Sequence, residues 1–188
     1  MPILHALPRN AQRDERWANG AGTTTVILRE PDTADWQVRI SVAKVASDGP
    51  FSELPNTRRT LVPLDAPMAL HFPDGHALHA ARFGSLQFDG APAPTGALPD
   101  GPTRDFNLML RGSARGEVLA RTLVGAMWLP ATGTRWLAYL DSGHADLRCG
   151  TASVTLGPGD AALATPDDDP TRVMLEGAGE IILVKLYA

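Results

Sequence analysis

The sequence predicts an all-β fold with very little helix. Three observations carry that prediction. Helical periodicity of 3.6 residues is almost absent along the 188 residues. Short apolar or alternating runs recur instead, each bounded by turn residues. The turn formers are plentiful and evenly spread, 18 glycines and 16 prolines, as the close-set strands of a sandwich or barrel require.

The strands expected in the first half are 24–28, 36–45, 59–63, 69–72, 77–81 and 84–88. In 36–45, strand alternation puts Trp36, Val38, Ile40 and Val42 on one face and Gln37, Arg39, Ser41 and Ala43 on the other. A guanidinium in mid-strand is costly to bury alone. Arg39 therefore meets either solvent or a cavity where something polar or anionic answers it. Phe72-Pro73-Asp74-Gly75-His76 reads as a hairpin with a three-residue loop and Gly75 at its left-handed position. That loop sets Leu70 across from Leu78 and leaves His71 and His79 on a shared face. The stretch from Asp89 to Asp105 is rich in Pro and Gly and has no period, so a long connection between halves is expected there.

The second half resumes the rhythm, with strands expected at 106–111, 117–123, 134–140, 145–149, 152–156, 161–165, 172–176 and 180–186. In the first of these, Phe106, Leu108 and Leu110 share one face, and Asn107, Met109 and Arg111 the other. Gly157-Pro158-Gly159 is a tight turn between two apolar strands. Asp167-Asp168-Asp169, followed by Pro170, reads as a solvated turn rather than a metal cage.

Bulk properties exclude several classes of function. The formal charge is −4 and no basic patch is visible, which argues against a nucleic-acid partner. A single cysteine, Cys149, rules out an intrachain disulfide and any Cys-Cys zinc motif. No segment approaches the ~20 apolar residues that span a bilayer as a helix. The N-terminal residues carry no basic start and too short an apolar run for a signal peptide. A cytoplasmic location without a membrane partner is the default expectation.

Of the possible chemistries, metal binding and nucleophilic catalysis find little support. The histidines His5, His71, His76, His79 and His144 include no His-x-His pair. There is no Gly-x-Ser-x-Gly elbow and no catalytic cysteine context. Gly20-Ala21-Gly22 is too short for a phosphate-binding fingerprint. A polar set around the opening strands is more informative. Trp17 offers an indole donor and Asn19 an amide, Arg39 and Ser41 share a face, and Arg58 and Arg59 follow the Gly49-Pro50 turn. Alternation puts at least one of Arg58 and Arg59 in solvent. Singly each residue has a plain structural explanation. Together they describe an anion-binding pocket, with Asn107 as a further polar strand residue that must find partners.

Several motifs in order resemble one known family. They are Trp17-x-Asn19-Gly20-x-Gly22-Thr23, Val38-Arg39-Ile40-Ser41-x-Ala43-x-Val45, Gly49-Pro50-Phe51-Ser52-x-Leu54-Pro55, Phe88-x-Gly90 and Asp105-Phe106-Asn107-Leu108-Met109. As a block they are similar to the HutD/Ves family. The resemblance implies a bicupin, two antiparallel jelly-roll-like β-barrels in one chain. The halves would then be 1–104 and 105–188, with room for strands shared between them. It also implies an association with bacterial histidine utilisation, in a regulatory rather than catalytic role. The implied ligands are small anionic intermediates such as urocanate or a formyl- or formimino-glutamate. Where a cupin usually draws metal ligands, near 49–59, this chain supplies Phe51, Ser52, Arg58 and Arg59 and no histidine. Arg59 is the better match to the family's arginine.

The expected function is metal-free binding of a small anionic metabolite. Arg39 and Arg59 clamp its carboxylate, Asn19, Ser41 and Asn107 orient it, and Trp17, Phe51 and Phe106 wall the pocket, with Ser52 beside them. No catalytic residue, metal or cofactor is assigned. A metal-dependent cupin enzyme of isomerase or dioxygenase type, using His71, His79 or His144 with a carboxylate, is the alternative. Pairing into a homodimer through edge strands is a further expectation.

Overall fold

The computed structural model describes residues 3–17, 22–130, 132–166 and 172–187. Among them the fold is all-β, and helix is confined to one short 3-10 turn, Arg9–Ala11. The strands run β1 (Ile3–Leu7), β2 (Arg13–Arg16), β3 (Gly22–Glu30), β4 (Val38–Val45), β5 (Gly49–Pro50), β6 (Thr57–Pro63), β7 (Met68–His71), β8 (Ala77–Ala80), β9 (Leu86–Asp89), β10 (Thr95–Ala97) and β11 (Thr103–Arg111). They continue with β12 (Gly116–Leu129), β13 (Thr134–Cys149), β14 (Ala152–Leu156), β15 (Ala161–Thr165) and β16 (Val173–Tyr187).

Two compact units form: Arg13–Ala114, and Met1–Gln12 together with Arg115–Ala188. The division expected at 104/105 is therefore displaced at both ends. A cut there would split β11, which is hydrogen-bonded to β4 on one side and β6 on the other. The first strand joins the later unit because β1 pairs antiparallel with β15, Ile3 opposite Thr165. Nor does strand pairing close two barrels. It makes three open sheets, ordered β2-β3-β4-β11-β6-β9, β5-β10-β7-β8 and β1-β15-β13-β16-β12, with β14 paired to β13.

In the Arg13–Ala114 unit the six-stranded and four-stranded sheets share one apolar core. Val45, Leu61 and Leu86 from the first meet Met68, Leu70 and Ala80 from the second, and Phe72 joins them from the end of β7. Burying each large side chain of this kind contributes about 1.5–3 kcal/mol. The 72–76 hairpin forms as expected. The Phe72 N–H donates to the His76 carbonyl at 2.9 Å, Gly75 has φ 92°, and Leu70 pairs with Leu78. The long connection expected over 89–105 is instead part of the sheets. Its Thr95–Ala97 segment bridges β5 and β7, and β11 already begins at Thr103.

The other unit is dominated by three long strands, β12, β13 and β16. Breaks were expected in two of them, after 140 and after 176, because glycines there read as turns. The strands run straight through. Gly143 pairs with Gly179, and Ala145 with Gly177. A side chain at Gly143 would collide with the Ala178 carbonyl, and one at Gly179 with the Ser142 carbonyl. The glycines allow two backbones to approach inside one continuous ladder. A register shift between Leu140 and Ser142 takes up the irregularity.

Candidate functional site

The site is written on one face of three adjacent strands. Pairing of β4, β11 and β6 sets Arg39, Met109 and Arg59 in one row. The next row is Ser41, Asn107 and Leu61, and the next Ala43, Asp105 and Pro63. Side chains two apart on a strand point the same way, so Asp105, Asn107 and Met109 face one side together. They floor a pocket of about 480 Å³ within the Arg13–Ala114 unit. Trp17 lines this pocket, its indole N–H donating to Thr24 Oγ1 at 2.8 Å. Phe51 lines it from the segment after β5, where its N–H donates to the Pro94 carbonyl at 2.9 Å. Gly96 is needed beneath that ring, since a Cβ there would lie 2.7 Å from Phe51.

Arg59 is the central cation, and it is only 5% exposed. Its guanidinium lies against two aromatic rings, 5.1 Å from the Phe51 centroid and 5.0 Å from that of Phe88. Its Nη2 donates to Asn107 Oδ1 at 3.3 Å. Its Nε and Nη1 have no hydrogen-bond partner among the described residues. Burial pulls its pKa down to about 10; the negative field of Asp105 opposes that fall, and nearby Arg39 adds to it.

Asp105 is the matching anion. Its Oδ1 accepts from Asn107 Nδ2 at 2.8 Å, while its Oδ2 has no partner. Burial pushes its carboxyl up to about 6, against the charge of Arg59 and the hydrogen bond from Asn107. Ser41 is fully buried, and its hydroxyl is also unpartnered. Buried polar groups almost always find a partner. Four such atoms, on Ser41, Arg59 and Asp105, lie here on residues lining one pocket.

Arg39 answers the question its place in the strand posed. It lines the pocket, but its charge is already met, with Nη2 3.0 Å from Glu15 Oε2 and Nη1 donating to Met109 Sδ at 3.8 Å. The expected two-arginine clamp is thus reduced to one unpaired cation, Arg59.

A family model, HutD, matches residues 9–183. The chain belongs to the HutD family. A 97-residue stretch is 35% identical to Protein Ves of Cronobacter sakazakii, covering 50% of this chain. That match spans 54%, about half, of the relative's length. Among solved structures, a conserved protein of unknown function from Pseudomonas aeruginosa PAO1 superposes with a TM-score of 0.89 at 21% identity, covering 99% of this chain and 100% of that one. HutD from Pseudomonas fluorescens SBW25 superposes at 0.78 with 20% identity, covering 98% of each. The Escherichia coli pirin YhhW, solved in complex with nickel(II), superposes at 0.72 with 9% identity, covering 100% of this chain and 99% of that one. At these identities the superpositions show a common fold, all-β and cupin-like.

In this HutD-family chain, Trp17, Arg39, Ser41, Phe51, Ser52, Arg59 and Asn107 all line the one pocket. Ser52 is exposed. Asn19 lies outside the described residues. Phe106 does not wall the pocket. It is fully buried on the opposite face of β11, because it alternates with Asp105 and Asn107. Arg58 is exposed and donates to the Ala114 carbonyl. His71 and His79 are neighbours on β7 and β8 with ring centroids 6.2 Å apart, His144 is in β13, and none of the three lines the pocket. Among the described residues no group of three or more His, Cys, Asp or Glu side chains could hold a metal ion.

Glu15, Asp105 and Met109 are among the pocket residues that were missed. Asp105 and Met109 had a signal, since each is two residues from Asn107 and shares its face. Glu15 had none, because only the pairing of β2 with β3 carries it toward Arg39.

Proposed function

We propose that this HutD-family chain binds a small anionic metabolite, without a metal, in the pocket floored by β4, β6 and β11. The observation that carries the reading is Arg59, a buried guanidinium with Nε and Nη1 unpartnered, on a residue that lines a cavity of about 480 Å³. A cation taken out of water needs an answering group. Asp105 answers only through the field, and the Asn107 amide oxygen and the aromatic faces of Phe51 and Phe88 supply the rest. A ligand carboxylate would answer one of the free nitrogens, Nε or Nη1, through a charge-assisted hydrogen bond. The apolar wall of Trp17, Val45, Phe51 and Leu54 suits a planar or short-chain acid. Urocanate and formyl- or formimino-glutamate fit that description, and with them a regulatory place in histidine utilisation, in the cytoplasm.

Calorimetric titration at neutral pH tests the reading, with urocanate, N-formyl-glutamate and formimino-glutamate against the wild type and Arg59→Met. Saturable binding to the wild type that falls at least tenfold in the variant is expected. No heat from any of the acids with folded wild type would overturn it. The recovered ligand should be unchanged by mass spectrometry, and conversion to a product would mark an enzyme instead.

A further inference from the structure

We propose that Asp105 is a second recognition point in this pocket, and that the ligand is a carboxylate which also carries an N–H donor, of the imidazole, amidine or amide kind, placed against Asp105 Oδ2. The proposal rests on the anion reading above and adds Asp105 to it as the residue that selects for the donor.

The unmet atoms in the pocket are of opposite kinds. Arg59 Nε and Nη1 can only donate. Asp105 Oδ2, when ionised, can only accept. A simple carboxylate would satisfy the arginine and leave Oδ2 buried and unmet, facing a second negative charge. A ligand that presents an anion to β6 and an N–H to β11 satisfies both.

Asn107 explains why both ends remain available. Its amide stands between the two charges, its Oδ1 taken by Arg59 at 3.3 Å and its Nδ2 given to Asp105 at 2.8 Å. The amide orientation is fixed from both sides. The cation and the anion are thereby linked through a neutral spacer, and each keeps atoms for a third party. Ser41 Oγ, buried beside Asn107 in the same row, can donate or accept and fits either end of such a ligand.

The charge state at neutral pH agrees. Burial raises the Asp105 carboxyl to about 6, so above that pH it is an acceptor. The charged groups on its side are Arg59 on β6 and Arg39 on β4, the latter already held by Glu15 of β2. Arg59 favours the carboxylate.

Matched ligand pairs test the proposal by calorimetry at pH 7.5 on the full chain. One pair is urocanate and 3-(3-furyl)acrylate, which lacks the ring N–H. The other is N-formyl-glutamate and glutarate. In whichever pair binds, the donor-bearing acid is expected to bind wild type at least tenfold tighter. Asp105→Ala is expected to bring the two within about threefold by weakening the donor-bearing acid alone. Arg59→Met is expected to weaken both members. Equal binding of both members by wild type, with both lost in Arg59→Met, would overturn the role of Asp105 and leave the anion reading standing. Binding of neither pair by wild type would overturn both. Should Asp105→Ala fail to fold, the wild-type ratio with Asp105→Asn as the second variant still decides, because unchanged selectivity in both proteins would refute the acceptor role.

Discussion

Asn107 donates its amide N–H to the carboxylate of Asp105, two residues earlier on the same strand, at 2.8 Å. Local contacts between i and i+2 side chains on a strand face rarely carry long-range meaning. This one does, because the same amide accepts from Arg59 on the neighbouring strand. A buried acid and a buried base are thus coupled without touching, and each keeps polar atoms without a partner, on residues that line one pocket.

The cost of burying Asp105 should be visible in stability against pH. Its folded value of about 6 lies above the ordinary 3.8, so between those values the folded state holds more protons than the unfolded one. By linkage this group's contribution falls as pH rises from about 4 to 6 and is constant above. Asp105→Asn keeps an acceptor for Asn107 and removes the ionisation. At pH 7 it is expected to stabilise the chain by up to about 3 kcal/mol, roughly two pKa units at 1.36 kcal/mol each. Urea titrations of both proteins at pH 4.5 and pH 7 check this, and parallel pH dependences would contradict it.

Arg59 holds the Asp105 carboxyl down against burial. Arg59→Met should therefore move that carboxyl above 6, so that more of it is protonated at neutral pH. Carbon-detected NMR titration of the Asp105 carboxyl reads the shift. A value unchanged or lowered in the variant would show that the two charges do not sense each other.

Phe106 and Phe51 should separate cleanly. Phe106 is fully buried and faces away from the pocket. Phe106→Ala is expected to cost about 3–5 kcal/mol in stability while the protein that remains folded binds its ligand as before. Phe51→Ala removes one of the rings against Arg59 and is expected to weaken ligand binding with a smaller loss of stability. Chemical denaturation and calorimetry on both variants check the assignment. It fails should Phe106→Ala reduce affinity in folded protein.

Glu15 already pairs with Arg39 on the pocket lining. The pair lies at the pocket edge, with the Glu15 side chain 43% exposed, so breaking it should change stability by no more than about 1 kcal/mol. Glu15→Gln frees a guanidinium already lining the cavity. Anion affinity is expected to rise severalfold, most clearly at low salt. Titrations at two ionic strengths measure the gain, and a loss of affinity would assign Glu15 a direct part in ligand binding.

The faces of the site strands were legible from the sequence because alternation is a local rule. The period of two in 36–45 and 106–111 separated Arg39, Ser41 and Asn107 from the apolar residues between them, and the structure places the three on one pocket-lining face. The same rule, applied one step further along, would have found Asp105 and Met109. It also argues against Phe106, which was expected to wall the pocket but shares a face with Leu108 rather than with Asn107. The all-β class was legible for the same reason, as was the 72–76 hairpin, where Pro, Asp and Gly act within five residues.

Tertiary structure alone decided which strand lies beside which, and with it the chemistry. Glu15 and Arg39 meet across 24 positions, and Arg59 and Asn107 across 48. No local period encodes those distances. Pairing therefore made Arg39 a paired cation and Arg59 the unpaired one, carried β1 over to β15, and left the sheets open where two closed barrels were expected. The glycines of β13 and β16 were ambiguous for a related reason. A residue without a Cβ permits a turn or a close backbone approach equally well, and only the neighbouring strand shows which one the chain makes.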